Sequence, residues 1–133
     1  MSTTFGVNIK KGYQMAGLIV KQFATPDESR TPPKTKVDVV SLGTVTLMRA
    51  TLQPGWVWSE CVGPFTGETS CQSHHVGCVV SGKMVVKMDD GTEMEIKAGD
   101  AYVIDPGHDG WVVGDEPFVG YEFDSSTAET YAK

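Results

Sequence analysis

Apolar residues in this chain recur at every second position far more often than at helical spacing, which predicts short half-buried strands. The pattern is strongest from Val37 onward, where KVDVVSL, the break at Gly43 and TVTLMRATL make a hairpin-like pair of β-branched runs. After the Pro54-Gly55 turn, WVWSECV alternates as a strand, and GPFTGETS, with two glycines and a proline, is a loop. Cys71 to Val80 is the next strand. Ser81-Gly82 turns it into KMVVKM, in which Met84, Val86 and Met88 share one face and Lys83 and Lys87 the other. DDGT is a tight turn into EMEIKAG, a half-buried strand with Met94 and Ile96 on its inner side. AYVI, the turn DPGHDG, WVV, the turn GDEP and FVGYEF follow. The result is about eight short strands at spacings of roughly 8–12 residues, an all-β sandwich or barrel with no long helix.

The ends are less regular. Tyr13 to Phe23 fits a strand or a short helix, and Ala24 to Lys36 is polar and proline-rich, so residues 1–36 divide into an N-terminal arm and a loop. Leu18, Ile19, Val20 and Phe23 give the arm apolar surface to bury on its own barrel or on a neighbouring subunit. Residues 37–123 form the barrel and residues 124–133 a polar tail. At 133 residues the chain is one domain by length, long enough to bury a core without staples.

Composition narrows the classes of function. A hydrophobic fraction of 40% with 21% charged residues suits a soluble globular protein. The net charge of −6 provides no positive field to gather phosphates, which argues against nucleic-acid and anionic-lipid partners. No run approaches the roughly 20 apolar residues of a membrane span, and no signal peptide is evident, so a cytoplasmic location is expected. Three cysteines without a secretory signal are expected to be reduced thiols, free to bind metal.

All three histidines and all three cysteines fall between Cys61 and His108. They concentrate in CQSHHVGCVVSGKM, from Cys71 to Met84, and GDAYVIDPGHDGW, from Gly99 to Trp111. If His75 points inward, strand parity turns Cys71, Ser73, Gly77 and Val79 inward too, and His74, Val76 and Cys78 away. Four positions along a strand is about 13 Å, so Cys71 and His75 can share an ion only if the chain bends at Gln72-Ser73. Cys61, Cys71, His75 and His108 are the candidate metal ligands. Sulfur and nitrogen donors suit zinc; iron, manganese and nickel are the other candidate ions, and iron would draw on all the histidines or on Glu60 or Glu68.

Plainer readings stand beside these. Cys61 and Cys71 also fit as small buried hydrophobes, and a Cys61–Cys71 disulfide is disfavoured by the expected compartment. His74 suits a surface or interface, and His108 a loop hydrogen bond. Trp56, Trp58 and Trp111 either line a ligand cavity or pack the core. Asp105 and Asp109 flank His108 as acceptors for its ring or as turn residues.

Over about Pro54 to Gly114 these residues resemble the two motifs of the cupin superfamily, G-x5-H-x-H-x(3,4)-E-x6-G and G-x5-P-x-G-x2-H-x3-N. Cys61, with five residues after Gly55, takes the place of the first histidine. Counting back from Gly82 after an insertion, His75 falls at the glutamate and Cys71 at the second histidine. In the second motif Gly99, Pro106 or Asp105, and Gly107 match, Gly110 stands at the histidine, and His108 lies two residues early. The resemblance implies a small single-domain jelly-roll β-barrel, a bend in the Gln72-Ser73 region, a divalent-metal site and a homodimer paired through sheet edges and the arm. Two functions follow. One is an enzyme on a small organic molecule, using the metal as a Lewis acid for isomerase, lyase or oxygenase chemistry. The other is a non-catalytic small-molecule binding or sensor module, with or without a structural metal.

Overall fold

The computed structural model describes residues 17–133. Nine strands run in chain order: β1 Glu28–Arg30, β2 Thr35–Ser41, β3 Thr46–Leu52, β4 His75–Ser81, β5 Lys83–Met88, β6 Glu93–Lys97, β7 Ala101–Ile104, β8 His108–Val113 and β9 Phe118–Glu122. A one-turn helix, α1 Trp58–Cys61, and a 3-10 turn, Gly63–Phe65, lie between β3 and β4, and α2 Ser125–Thr130 follows β9. The strands pair antiparallel into a six-stranded sheet, β1-β2-β3-β9-β4-β7, and a three-stranded sheet, β6-β5-β8. Their inner faces enclose one core that includes Met48, Leu52, Val79, Met84, Val86, Val112 and Phe118.

Period-two patterning builds this core. In β3, Thr46, Met48, Ala50 and Leu52 are buried while the residues between them are half-exposed. β4, β8 and β9 begin on the same alternation. The predicted β2–β3 hairpin has the register Thr35↔Leu52 to Ser41↔Thr46 and turns beside Gly43, whose φ of 86° suits glycine. The β5–β6 hairpin and the shared face of Met84 and Val86 are also as read.

Four local readings change. The segment read as a loop to Lys36 contains β1 and the start of β2, with Glu28 opposite Val39 and Arg30 opposite Val37. A polar segment can serve as an edge strand because its backbone partner comes from the sheet and its side chains need not be buried. WVWSECV turns into α1 where a strand was expected, because Asp109, distant in sequence, accepts the Ser59 amide through Oδ1 at 3.1 Å and so caps the turn. The polar end forms α2, capped by Asp124 accepting the Thr127 amide, and sends Tyr131 into the core. Met94, read as inward, is 67% exposed because it lies on edge strand β6.

Of the run read over Tyr13 to Phe23, residues 17–23 form neither strand nor helix and the remainder lies outside the described residues. Leu18 and Val20 are exposed, whereas Phe23 packs its ring on Tyr121 at 5.2 Å. Among the described residues no helix is long and apolar enough to cross a membrane.

Candidate functional site

β4 starts at His75, and Cys71 lies before it on a segment that bridges the first residue of β8. The Cys71 amide donates to His108 O at 2.7 Å, and the Gly107 amide donates to Cys71 O at 2.7 Å. The chain therefore bends between Cys71 and His75, and Cys71 Sγ comes to 3.6 Å from His75 Nε2, far inside the separation of a straight strand. One donor atom each from Cys71, His75 and His108 falls within 4.8 Å of the others, and all three residues are buried. Cys61 is buried in α1 and stands outside this group.

Parity separates the two histidines as expected. His75 is 6% exposed, whereas His74 faces the surface, with Nδ1 at 2.8 Å from Asp124 Oδ2. His108 opens β8 and does not sit in a free turn. Its Nδ1 lies 2.7 Å from Asp105 O, and a carbonyl only accepts, so Nδ1 carries a proton and Nε2 is the nitrogen left for the site. Asp105 thus holds the ring through its backbone oxygen and not through its carboxylate. Asp109 does not touch the ring in this network; its Oδ1 accepts the Ser59 and Gly110 amides.

Three residues given no role in the sequence reading complete the site: Glu122, Tyr102 and Tyr131. Glu122, at the end of β9, accepts from His75 Nδ1 through Oε1 at 2.6 Å and from Tyr102 Oη through Oε2 at 2.8 Å. Tyr131, from the segment after α2, sets its ring against that of His75 at 5.2 Å, edge to face. The signal for Glu122 was its parity: it shares a strand face with Phe118 and Gly120, and a lone carboxylate is rarely buried without a partner.

Electrostatics follow from these contacts. Burial pushes the Cys71 thiol up, but hydrogen bonds from His108 and His75 outweigh it and hold the thiol down at about 6. Burial pushes the His75 imidazolium to lose its proton, but Glu122 and then Cys71 outweigh it and raise the group to about 10. Burial, with Glu122 close by, raises Tyr102 far above an ordinary phenol.

His75, His108, Tyr102 and Glu122 face a small cavity between the sheets, walled by apolar residues including Met48, Leu52 and Phe118. Its volume is about 40 Å³. Trp56 and Trp58 also line it, while Trp111 does not. Gly110 lines it as well, and a Cβ there would come to 2.8 Å from Met84 Cε and 3.3 Å from Val85 O, so a side chain at this position of the resembled motif would have to displace the end of Met84.

Two buried imidazoles and a thiol aimed at one point suit zinc or another borderline divalent ion, with the far nitrogen of each ring fixed by an acceptor as metal-bound histidines require. The donor set fits a metal with an open coordination position.

The sequence pattern of the EutQ-like cupin domain matches residues 54–119. No curated protein matches the chain in sequence. Among solved structures, a protein of unknown function from Rhizobium leguminosarum is 18% identical with a TM-score of 0.56, covering 82% of this chain and 98% of that one. Another of unknown function, from Acidithiobacillus ferrooxidans, is 22% identical with a TM-score of 0.54, covering 75% of this chain and 88% of that one. Oxalate decarboxylase from Lactobacillus farciminis, in its formate complex, is 18% identical with a TM-score of 0.53, covering 74% of this chain and 30% of that one. Likeness at these identities establishes the fold alone, the expected all-β jelly roll of two antiparallel sheets. The match over residues 54–119 and this shared architecture make the chain a member of the cupin superfamily.

Proposed function

We propose that this protein is a metal-dependent enzyme that acts on a small organic molecule, with a divalent ion held by Cys71, His75 and His108. The observation that carries this reading is the convergence of three buried donor atoms within 4.8 Å beside a cavity that other polar groups also face. Zinc is the proposed ion, since a thiolate with two imidazoles suits its softness and leaves a fourth position for substrate. Bound there, the metal would supply Lewis acidity toward a substrate oxygen.

The chain's own groups do the rest. Glu122 fixes His75 through Nδ1 and Asp105 O fixes His108 through Nδ1, so both rings present Nε2. Tyr102 Oη and Glu122 Oε2, 2.8 Å apart on the cavity wall, form the pair that can hold and pass a proton. This pair favours proton-transfer chemistry of the isomerase or lyase kind.

The test is elemental analysis of protein purified without chelator, paired with His75→Ala. Near-stoichiometric zinc that disappears in a folded His75→Ala variant supports the reading. Stoichiometric metal retained by that variant defeats the ligand assignment, and failure to take up zinc, iron, manganese or nickel on reloading defeats the metal.

A further inference from the structure

The cavity beside the three donor atoms is too small to enclose most organic molecules. It holds about 40 Å³, against roughly 300–1,000 Å³ for pockets that take a whole small-molecule ligand. A substrate that reaches the ion must keep most of its atoms elsewhere. A cleft of about 350 Å³ adjoins the donor set, and its lining includes Cys71. Trp58 and Tyr131, both buried, line this cleft and the inner cavity alike. Cys71 borders the cleft while His75 and His108 border the cavity, so the donor set stands in the partition between the two spaces.

A groove of about 410 Å³ along β6 and β7 also shares residues with the cavity, Tyr102 and Ile104 among them. Its lining contains none of Cys71, His75 and His108. Size does not choose between the two openings, and contact with a metal donor does.

Both walls of the cleft are fixed by the fold. On one side the 3-10 turn Gly63–Phe65, started by Pro64, holds Phe65 68% exposed. On the other side lies the segment 130–133 after α2. Buried Arg30 secures it, donating Nη1 to Tyr131 O at 2.7 Å and Nη2 to Glu129 O at 3.0 Å. The Tyr131 ring is held in turn by its edge-to-face contact with His75. Aromatic rings therefore come from both walls, Trp58 and Phe65 from one and Tyr131 from the other, with the hydroxyls of Ser73 and Thr130 as polar neighbours. Rings so placed favour a planar apolar guest, which packs on them face or edge.

We propose that this cleft binds the body of the substrate, and that the substrate is an organic molecule with an aromatic ring in the cleft and an oxygen-bearing head that reaches past Trp58 and Tyr131 to the ion. This proposal rests on the metal-dependent reading above and names the substrate class for the same site. The ring supplies binding energy away from the reacting atoms. Only the head enters the inner cavity, where Tyr102 and Glu122 stand.

Benzohydroxamate and acetohydroxamate test this, because they carry the same metal-binding head and differ in the ring. Their affinities for zinc-loaded protein are measured by calorimetry and taken relative to their affinities for free zinc. Benzohydroxamate should bind roughly 10-fold more tightly, the effect of burying much of a phenyl ring. Phe65→Ala should reduce that preference about 3–10-fold through loss of one aromatic contact. Thr130→Trp, which fills the cleft from the other wall, should abolish it, and acetohydroxamate should bind both variants as before. Met94→Ala alters a residue of the β6–β7 groove that is 67% exposed, and should change neither affinity. Equal affinity of the two hydroxamates, a preference that survives Thr130→Trp, or one lost in Met94→Ala overturns the proposal. Zinc content is measured on the same samples, so failure to take up zinc counts against the metal reading alone. The cleft is then judged on metal-free protein, where benzohydroxamate should shift the nitrogen-15 amide signals of Thr66 and Ser73 and leave those of Met94 and Val103 unmoved. Unmoved signals at Thr66 and Ser73 overturn the proposal, and the same spectra decide should Thr130→Trp not fold.

Discussion

Tyr102 and Glu122 stand on strands two apart in the sheet and meet over Gly77, with Tyr102 Oη donating to Glu122 Oε2 at 2.8 Å. Both are register partners of Gly77, which lies on β4 between β7 and β9. Any side chain at Gly77 would fill the space through which they reach each other. A Cβ there would lie 2.2 Å from Tyr121 O, 3.0 Å from Tyr102 Oη and 3.1 Å from Glu122 Cγ.

Gly77→Ala is therefore expected to cost roughly 3 kcal/mol of stability. The near contact with Tyr121 O is backbone and has no rotamer by which to escape. Urea denaturation of the two proteins measures the cost. A loss under about 0.5 kcal/mol, the range of ordinary surface changes, would mean that the β4–β9 approach is looser than described.

Glu122→Gln should lower zinc affinity about 10–100-fold, because the amide holds the His75 ring with a weaker, neutral acceptor. Tyr102→Phe, which removes only the second contact to Glu122, should have the smaller effect. Competition with a coloured chelator gives both affinities. Unchanged affinity in Glu122→Gln would separate His75 from the metal.

Cys61 and Cys71 should part company in metal analysis. Cys71→Ala and His108→Ala should lose stoichiometric zinc, whereas Cys61→Ala should keep it and lose about 1 kcal/mol of stability from truncation of a buried side chain. Loss of zinc from Cys61→Ala in a folded protein would restore the four-donor set.

The metal-free protein should show a thiolate in mildly acidic solution. Cys71, held near 6, contributes stability that is fully present above its ordinary value of 9.0 and is lost as pH falls through about 6. His75, raised to about 10, has the opposite sign: its contribution is fully present below its ordinary value of 6.5 and is lost as pH rises through about 10. The thiolate–imidazolium pair should persist between these limits. Ultraviolet absorbance of the thiolate should titrate near pH 6 and vanish in Cys71→Ala. A midpoint near 9.0 would show that the histidines do not support the thiolate.

The strands and the facing of His75 were legible in the sequence because burial in a sheet alternates locally, and alternation is written residue by residue. In β3 and β4 that rule sorts inner from outer positions without knowledge of any partner strand. The clustering of histidines and cysteines was legible for the same reason: the two motifs are short, and each is carried on one stretch of chain.

What sequence alone determined, then, was the β character, the inward histidine and the pool of candidate donors. Which donors meet was decided by long-range pairing. Cys71 reaches His75 because its segment bridges His108, and Cys61 is drawn into a helical turn capped by Asp109. Glu122 becomes part of the site only because β9 inserts between β3 and β4, and Tyr131 only because α2 folds back over the core. Such contacts depend on sheet order and register. These are set by the free energy of the whole core, and no local pattern encodes them.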